Sequence, residues 1–166
     1  SLIVRANLHD KPADQLADFD EAVELTPSYP DVFRFRGMYH LSENRVEEAL
    51  DDFQAALEIE PDDTDTLEAA GLAQSVMQKY DDAMESFNKV IELEPNSPSA
   101  YTHRARVRAI KGDMDAALAD VEEALKMQPG SVQALRLHAS LLGGSGEFEK
   151  ALRDLNMLRT AMPEDS

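Results

Sequence analysis

Arginine and aspartate recur at a fixed interval along this chain. Sixteen residues separate Arg36 from Asp52 and Arg104 from Asp120, and the same interval separates His138 from Asp154. A guanidinium is a rigid fork that matches a carboxylate through two parallel hydrogen bonds. Two chemistries follow: recognition of a carboxylate on a ligand, or a fixed ion pair inside the fold. Comparison within the chain favours the second. At the remaining place of this kind Ala70 is followed by Ser86, so both charges vanish together. A buried pair tolerates joint loss but not the loss of one partner, which strands a charge at about 3–5 kcal/mol. Arg5 and Asp18 form a further candidate pair across a shorter interval.

Other reactive side chains do not converge. His9, His40, His103 and His138 are spread along the chain, whereas a metal site needs ligands at short, matched spacings. Gly143-Gly144-Ser145-Gly146 has the glycines of a phosphate loop but lacks its lysine and preceding strand. The runs Glu47-Glu48 with Asp51-Asp52, and Asp62-Asp63 with Asp65, lack the alternating ligands of a calcium loop and read as solvated faces. No nucleophile motif is present. The expectation is a chain without catalytic residues, bound metal or cofactor. The seven methionines read as core filler.

Composition narrows the partners. The chain has 166 residues, 43% of them apolar, enough for one domain with a real core. Its formal net charge is −17. A nucleic-acid binder must neutralise phosphates with Lys and Arg, so DNA and RNA are not expected partners. The 6% aromatic content, without Trp, is a poor supply for base stacking. The absence of cysteine rules out disulfides and thiolate metal sites. It does not choose between cytosol and periplasm, and the cytosol is the default expectation. No apolar run approaches a membrane span, so membrane insertion is not expected.

The elements that position these residues follow from a period. Pro27, Pro61, Pro95, Pro129 and Pro163 are each 34 residues apart. Ala49, Ala83, Ala117 and Ala151 keep the same step, as do Phe19, Phe53, Phe87, Val121 and Leu155. Phe33, Leu67, Tyr101 and Leu135 are large residues in register; Gly37, Gly71, Ala105 and Ala139 are small ones. A fixed period of this size marks repeat architecture. Inside each period apolar residues fall at helical spacing, as at Val46, Ala49, Leu50, Phe53 and Leu57. First helices are expected near 30–43, 64–77, 98–111 and 132–143, and second helices near 46–60, 80–94, 114–128 and 147–161. Asn44, Gln78, Gly112 and Gly146 stand at the turn inside each pair, where a left-handed residue ends a helix; Gln78 is the exception in type. Asp63, Ser97 and Ser131 are caps, and Pro30 and Pro98 suit a first helical turn.

These columns resemble the tetratricopeptide repeat family. First-helix stretches such as Phe33…Arg36-Gly37 and Tyr101…Arg104-Ala105 carry its bulky and small residues. Second-helix stretches such as Ala49…Phe53…Ala56…Pro61 carry its small, aromatic and closing residues. The resemblance implies an all-α fold, a right-handed superhelical solenoid of antiparallel helix hairpins. It divides the chain into a shortened hairpin at 1–29, repeats at 30–63, 64–97 and 98–131, and a terminal repeat at 132–166, all in one solenoid domain. It further implies a non-catalytic module that binds a protein or peptide in a concave groove lined by first helices. The second-helix segments are strongly acidic, whereas the first-helix segments are neutral to basic, most so around Arg104, Arg106, Arg108 and Lys111.

Groove-facing positions implied by that geometry are Arg34, Phe35, Met38 and Leu41, then Glu68, Leu72 and Val76. They continue with Thr102, His103, Arg106 and Ile110, and end with Arg136, Leu137 and Ser140. An apolar strip with arginines points to an acidic or carboxylate-bearing peptide. One branch of the family grips chaperone tails with a Lys/Asn/Arg clamp. The corresponding places hold Arg34, Met38, Ala69, Ser99 and His103, of which only the first fits, so that clamp is not expected. Two alternatives stand beside peptide binding: a scaffold that self-assembles into a homo-oligomer through the array ends, and the regulatory arm of a larger enzyme. Arg159 stands in the column of Leu57, Ile91 and Leu125 and reads as the polar edge of a terminal unit, while the first unit reads as cut, with the parent chain continuing N-terminally.

Overall fold

The computed structural model describes residues 12–161. Nine α-helices lie among them: α1 (Pro12–Leu25), α2 (Pro30–Ser42), α3 (Val46–Ile59), α4 (Thr64–Val76), α5 (Tyr80–Leu93), α6 (Pro98–Ile110), α7 (Met114–Met127), α8 (Val132–Gly144) and α9 (Phe148–Ala161). The fold is an all-α helical-repeat solenoid. The chain divides into two compact units, Ser1–Ser86 and Phe87–Ser166. In the first, α1 packs on α2, α2 on α3, and α3 on α4. In the second, α6 packs on α7, α7 on α8, and α8 on α9. Neighbouring first helices also touch, α2 with α4 and α6 with α8.

The helix ends obey local chemistry. The side chains of Asp63, Ser97 and Ser131 accept from the backbone N–H three residues on, at 3.1 Å from Thr66, 3.4 Å from Ala100 and 3.4 Å from Ala134. Asp113, which the sequence pattern did not single out, caps α7 through the Ala116 N–H at 3.3 Å. Pro30 and Pro98 occupy first turns, where no intrahelical donor is needed.

The turns inside the hairpins from α2 onward close in the same way. The N–H groups of Arg45, Lys79, Asp113 and Glu147 reach back to the carbonyls of His40, Gln74, Arg108 and Leu142 at 2.8–2.9 Å. This six-residue closure needs a left-handed residue just before the donor. Asn44, Gln78, Gly112 and Gly146 supply it, with φ of 59°, 60°, 88° and 85°. Glutamine has neither glycine's freedom nor asparagine's short polar side chain to ease that conformation, which costs about 1–2 kcal/mol. Gln78→Gly is therefore expected to stabilise the protein by about 0.5–1 kcal/mol after the entropy cost of glycine. A thermal melt checks this; an unchanged or lower midpoint contradicts it.

The core is built from the repeated small and large columns. In the first unit Ala49, Phe53, Ala70 and Ala73 form one buried cluster, flanked by Leu41, Val46, Leu50, Leu57 and Ala69. Phe19 and Tyr39 form another, their rings 5.6 Å apart, with Leu16 and Phe35 beside them. In the second unit Ala105, Ala117, Val121, Ala124, Ala134 and Leu141 are buried together. The methionines depart from the sequence expectation: Met38, Met114 and Met157 are about half exposed.

Candidate functional site

The sixteen-residue pairs are formed, and they are internal. Arg36 donates from Nε and Nη2 to the two oxygens of Asp52 at 2.9 and 2.6 Å. Arg104 grips Asp120 in the same way, at 2.9 and 2.7 Å. His138 Nδ1 lies 2.8 Å from Asp154 Oδ2. Asp52 and Asp120 are buried, so each guanidinium supplies the partner that a buried carboxylate requires. Where Ala70 and Ser86 replace the charged pair, Gln74 takes over and Ser86 Oγ donates to its Oε1 at 2.8 Å. The Arg5 half of the Arg5–Asp18 pair lies outside the described residues.

Two further columns join this lattice. The first-helix position four residues on also turns inward: Arg108 lies 2.8 Å from Asp120, and His40 lies 3.7 Å from Asp52. The second column lies sixteen residues before the cation. Arg36 donates to Asp20 at 2.9 Å, Arg104 to Asn88 at 2.8 Å, and His138 Nε2 lies 3.9 Å from Glu122. Arg36 and Arg104 thus each tie together their own second helix and the preceding one. Burial, with the nearby Arg45 charge, pushes the His40 imidazole below its usual range against the pull of Asp52. The sequence carried this signal in the polar column His40, Gln74, Arg108, which stands twelve residues before Asp52, Ser86 and Asp120.

The groove-facing candidates divide by exposure. In the first unit Met38 and Val76 are exposed, at 50% and 65%. Phe35, Leu41, Glu68 and Leu72 are half-buried, Phe35 and Leu41 because they flank core clusters. Arg34 is engaged: it donates to Asp31 at 2.5 Å, lies 3.7 Å from Asp63 and 3.8 Å from Asp65, and stacks over Phe35 at 4.7 Å. Arg34 in turn holds the Asp31 carboxyl below the usual carboxylate range, against the opposing effect of burial. Phe35 and Met38 join Gln15, Phe19, Tyr39 and Ser42 around an open pocket of about 390 Å³ between α1 and α2.

In the second unit Arg106, Ile110, Arg136 and Ser140 are exposed, and Leu137 and His103 are half-buried. The His103 ring stacks on Phe87 with centroids 5.6 Å apart. Thr102 departs from the expectation. It is buried, and its hydroxyl donates to the Pro98 carbonyl at 2.7 Å inside the first turn of α6. Arg104 and Arg108 turn to Asp120, on the side of α6 opposite Arg106. Among the described residues Arg106 makes no ion pair.

No group of three or more His, Cys, Asp or Glu side chains able to hold a metal ion occurs among the described residues. Among them no helix is long and apolar enough to cross a membrane.

Known proteins support the reading of the repeat. Two family models, both described as tetratricopeptide repeat, match residues 30–63 and 68–132. A search of curated proteins gave no match. Solved structures are similar in fold at low identity. MamA from residue 41 onward, from Desulfovibrio magneticus RS-1, superposes with a TM-score of 0.87 at 13% identity, over 99% of this chain and 94% of that one. TTC0263, a thermophilic TPR protein of Thermus thermophilus, gives 0.79 at 18% identity, over 99% and 90%. YrrB, described as a TPR protein with an unusual peptide-binding site, gives 0.75 at 23% identity, over 99% and 86%. The 34-residue proline period, the repeated helix hairpins, both family models and these structural likenesses agree: the chain belongs to the tetratricopeptide repeat family, whose repeats are protein-interaction modules.

Proposed function

We propose that this chain is a non-catalytic binding module that takes a carboxylate-bearing peptide segment on the first-helix face of its second unit. The observation that carries the reading is Arg106. It is exposed, makes no ion pair among the described residues, and shares a face of α6 with Ile110. Arg136 is exposed on α8, which packs directly against α6. Exposed cations beside apolar side chains suit a peptide that alternates carboxylates with apolar anchors. The peptide-binding site named for YrrB, a protein of similar fold, is in keeping with this use.

The first unit offers different chemistry. Arg34 is surrounded by Asp31, Asp63 and Asp65. A further carboxylate arriving there would meet three already in place, so the acidic preference belongs to the second unit. The pocket beside Phe35 and Met38 suits an apolar side chain.

The test is a screen of acidic and neutral peptides against the whole chain, followed by anisotropy titrations with Arg106→Glu/Arg136→Glu. The reversed chain is expected to bind its best acidic peptide at least about tenfold more weakly, and binding to the unaltered chain should fall with added salt. Equal affinity for both proteins would overturn the proposal.

A further inference from the structure

The backbone bond that closes each hairpin turn from α2 onward also pairs two residues. One lies near the end of the first helix, the other just before the second. The pairs are His40 with Arg45, Gln74 with Lys79, Arg108 with Asp113, and Leu142 with Glu147. Arg108, an always-charged cation, is set beside an acid. His40 is set beside a base. A neutral imidazole tolerates that neighbour, whereas a charged one is repelled by it.

The surroundings of His40 sharpen the contrast. The residue is 8% exposed. Its Nε2 lies 3.7 Å from Asp52 Oδ2, beyond hydrogen-bond reach, and both Asp52 oxygens already accept from Arg36. Its Nδ1 is buried with no hydrogen-bond partner among the described residues. Charging the ring makes donors of both nitrogens, so Nδ1 would carry a buried N–H without an acceptor. The Arg45 guanidinium stands over the Tyr39 ring at 5.4 Å, and that ring lies 6.0 Å from the His40 ring. The neighbouring elements add little to offset a proton. On α3 Glu48 is exposed to solvent, and α4 meets α3 with Ala70 and Ala73. From α1, Asp20 is bonded to Arg36. A protonated His40 would thus join Arg36 and Arg45 as a third cation around Asp52, a buried carboxylate that is already engaged. In the second unit Arg108 fills the same place and lies 2.8 Å from Asp120.

We propose that His40 is an acid-sensitive latch of the first unit: on taking a proton it loosens α2 from α3, whereas Arg108 holds α6 to α7 without such a trigger. The sign follows from linkage. In the unfolded chain His40 is an ordinary imidazole and takes its proton first as pH falls. In the folded chain burial and Arg45 hold it below that range, so it takes the proton later. Stability that is fully present above the ordinary histidine range is therefore lost as pH falls through that range towards the lower folded value. Because α2 also supplies Phe35, Met38, Tyr39 and Ser42 to the pocket beside α1, the same loosening alters that pocket.

Denaturant unfolding of the whole chain at about pH 7.5 and about pH 5 reads the acid response. On acidification the unfolding constant of the unaltered chain is expected to rise at least about threefold more than that of His40→Gln. Glutamine is the residue that the chain itself uses in this column, at Gln74. Arg45→Asp copies Asp113 and leaves the closing backbone bond in place; it is expected to shrink the response likewise. Hydrogen exchange resolved by segment, corrected for its intrinsic pH dependence, is expected to place the added opening in α2 and α3. The His40 ring resonance, assigned by its absence from His40→Gln, is expected to titrate below the range of free histidine. An equal acid response in His40→Gln and the unaltered chain overturns the proposal. So does a His40 resonance that titrates at or above the free-histidine range, or added opening confined to the second unit.

Discussion

Asp120→Ala is expected to lower stability by about 3 kcal/mol, the lower part of the range for breaking a buried ion pair. Asp120 is 3% exposed and faces two guanidiniums, Arg104 through a two-pronged hydrogen bond and Arg108 at 2.8 Å. Removing the carboxylate leaves both cations facing each other in a pocket shaped for their counter-ion. The cost stays towards the lower end because Arg104 keeps its bond to Asn88 and both arginines retain some access to water. The chain contains its own control. The second repeat fills the corresponding places with Ala70, Gln74 and Ser86, and there a neutral hydrogen bond replaces the ions. Transplanting that set as Arg104→Ala/Arg108→Gln/Asp120→Ser is expected to cost less than Asp120→Ala alone, although it changes more atoms. Denaturant unfolding of the three proteins decides the matter. A triple variant less stable than the single one would show that these cations act individually rather than as a set.

The second large effect concerns size rather than charge. Phe53 is fully buried, and its ring lies where a side chain on Gly37 would begin: a Cβ there would meet the ring at 2.7 Å and the Ala49 carbonyl oxygen at 3.1 Å. Phe53→Ala is expected to cost about 3–5 kcal/mol through lost burial and the cavity left behind. Gly37→Ala is expected to cost about 1–3 kcal/mol from overpacking, despite alanine's better helix propensity. The columns of the sequence show the compensation: glycine at 37 and 71 accompanies phenylalanine at 53 and 87, whereas alanine at 105 and 139 accompanies Val121 and Leu155. Gly37→Ala/Phe53→Val should therefore be more stable than the sum of its single changes implies, by about 1 kcal/mol or more. Strict additivity in a double-mutant cycle would rule out the size match.

Both predictions rest on features already legible along the chain. Prolines 34 residues apart, a left-handed position in each turn and paired columns at an interval of sixteen are local chemistry repeated at a fixed period. Repetition makes such chemistry readable, because each repeat acts as a control for the others. The joint loss of charge at Ala70 and Ser86 marks the ion pairs as structural without reference to any distance. The caps at Asp63, Ser97 and Ser131 were equally legible, since a cap needs only its own next turn.

The state of each candidate contact residue was not legible in that way. The sequence treats Arg34 and Arg106 alike, as arginines on first helices. In the structure Arg34 is held among Asp31, Asp63 and Asp65, while Arg106 stands exposed. Arg108 adds to the basic count of α6 yet serves Asp120, and Thr102 is buried in its own helical turn. Nor does the column of Leu155 reveal that it is half exposed where Phe53 and Val121 are fully buried. The physical reason is the same each time. Period and residue type determine which columns of helices meet, because helix geometry repeats. Whether a given side chain is then occupied, covered or available depends on side chains from other helices and on small rotations of each helix. Those are non-local quantities, and only tertiary packing sets them.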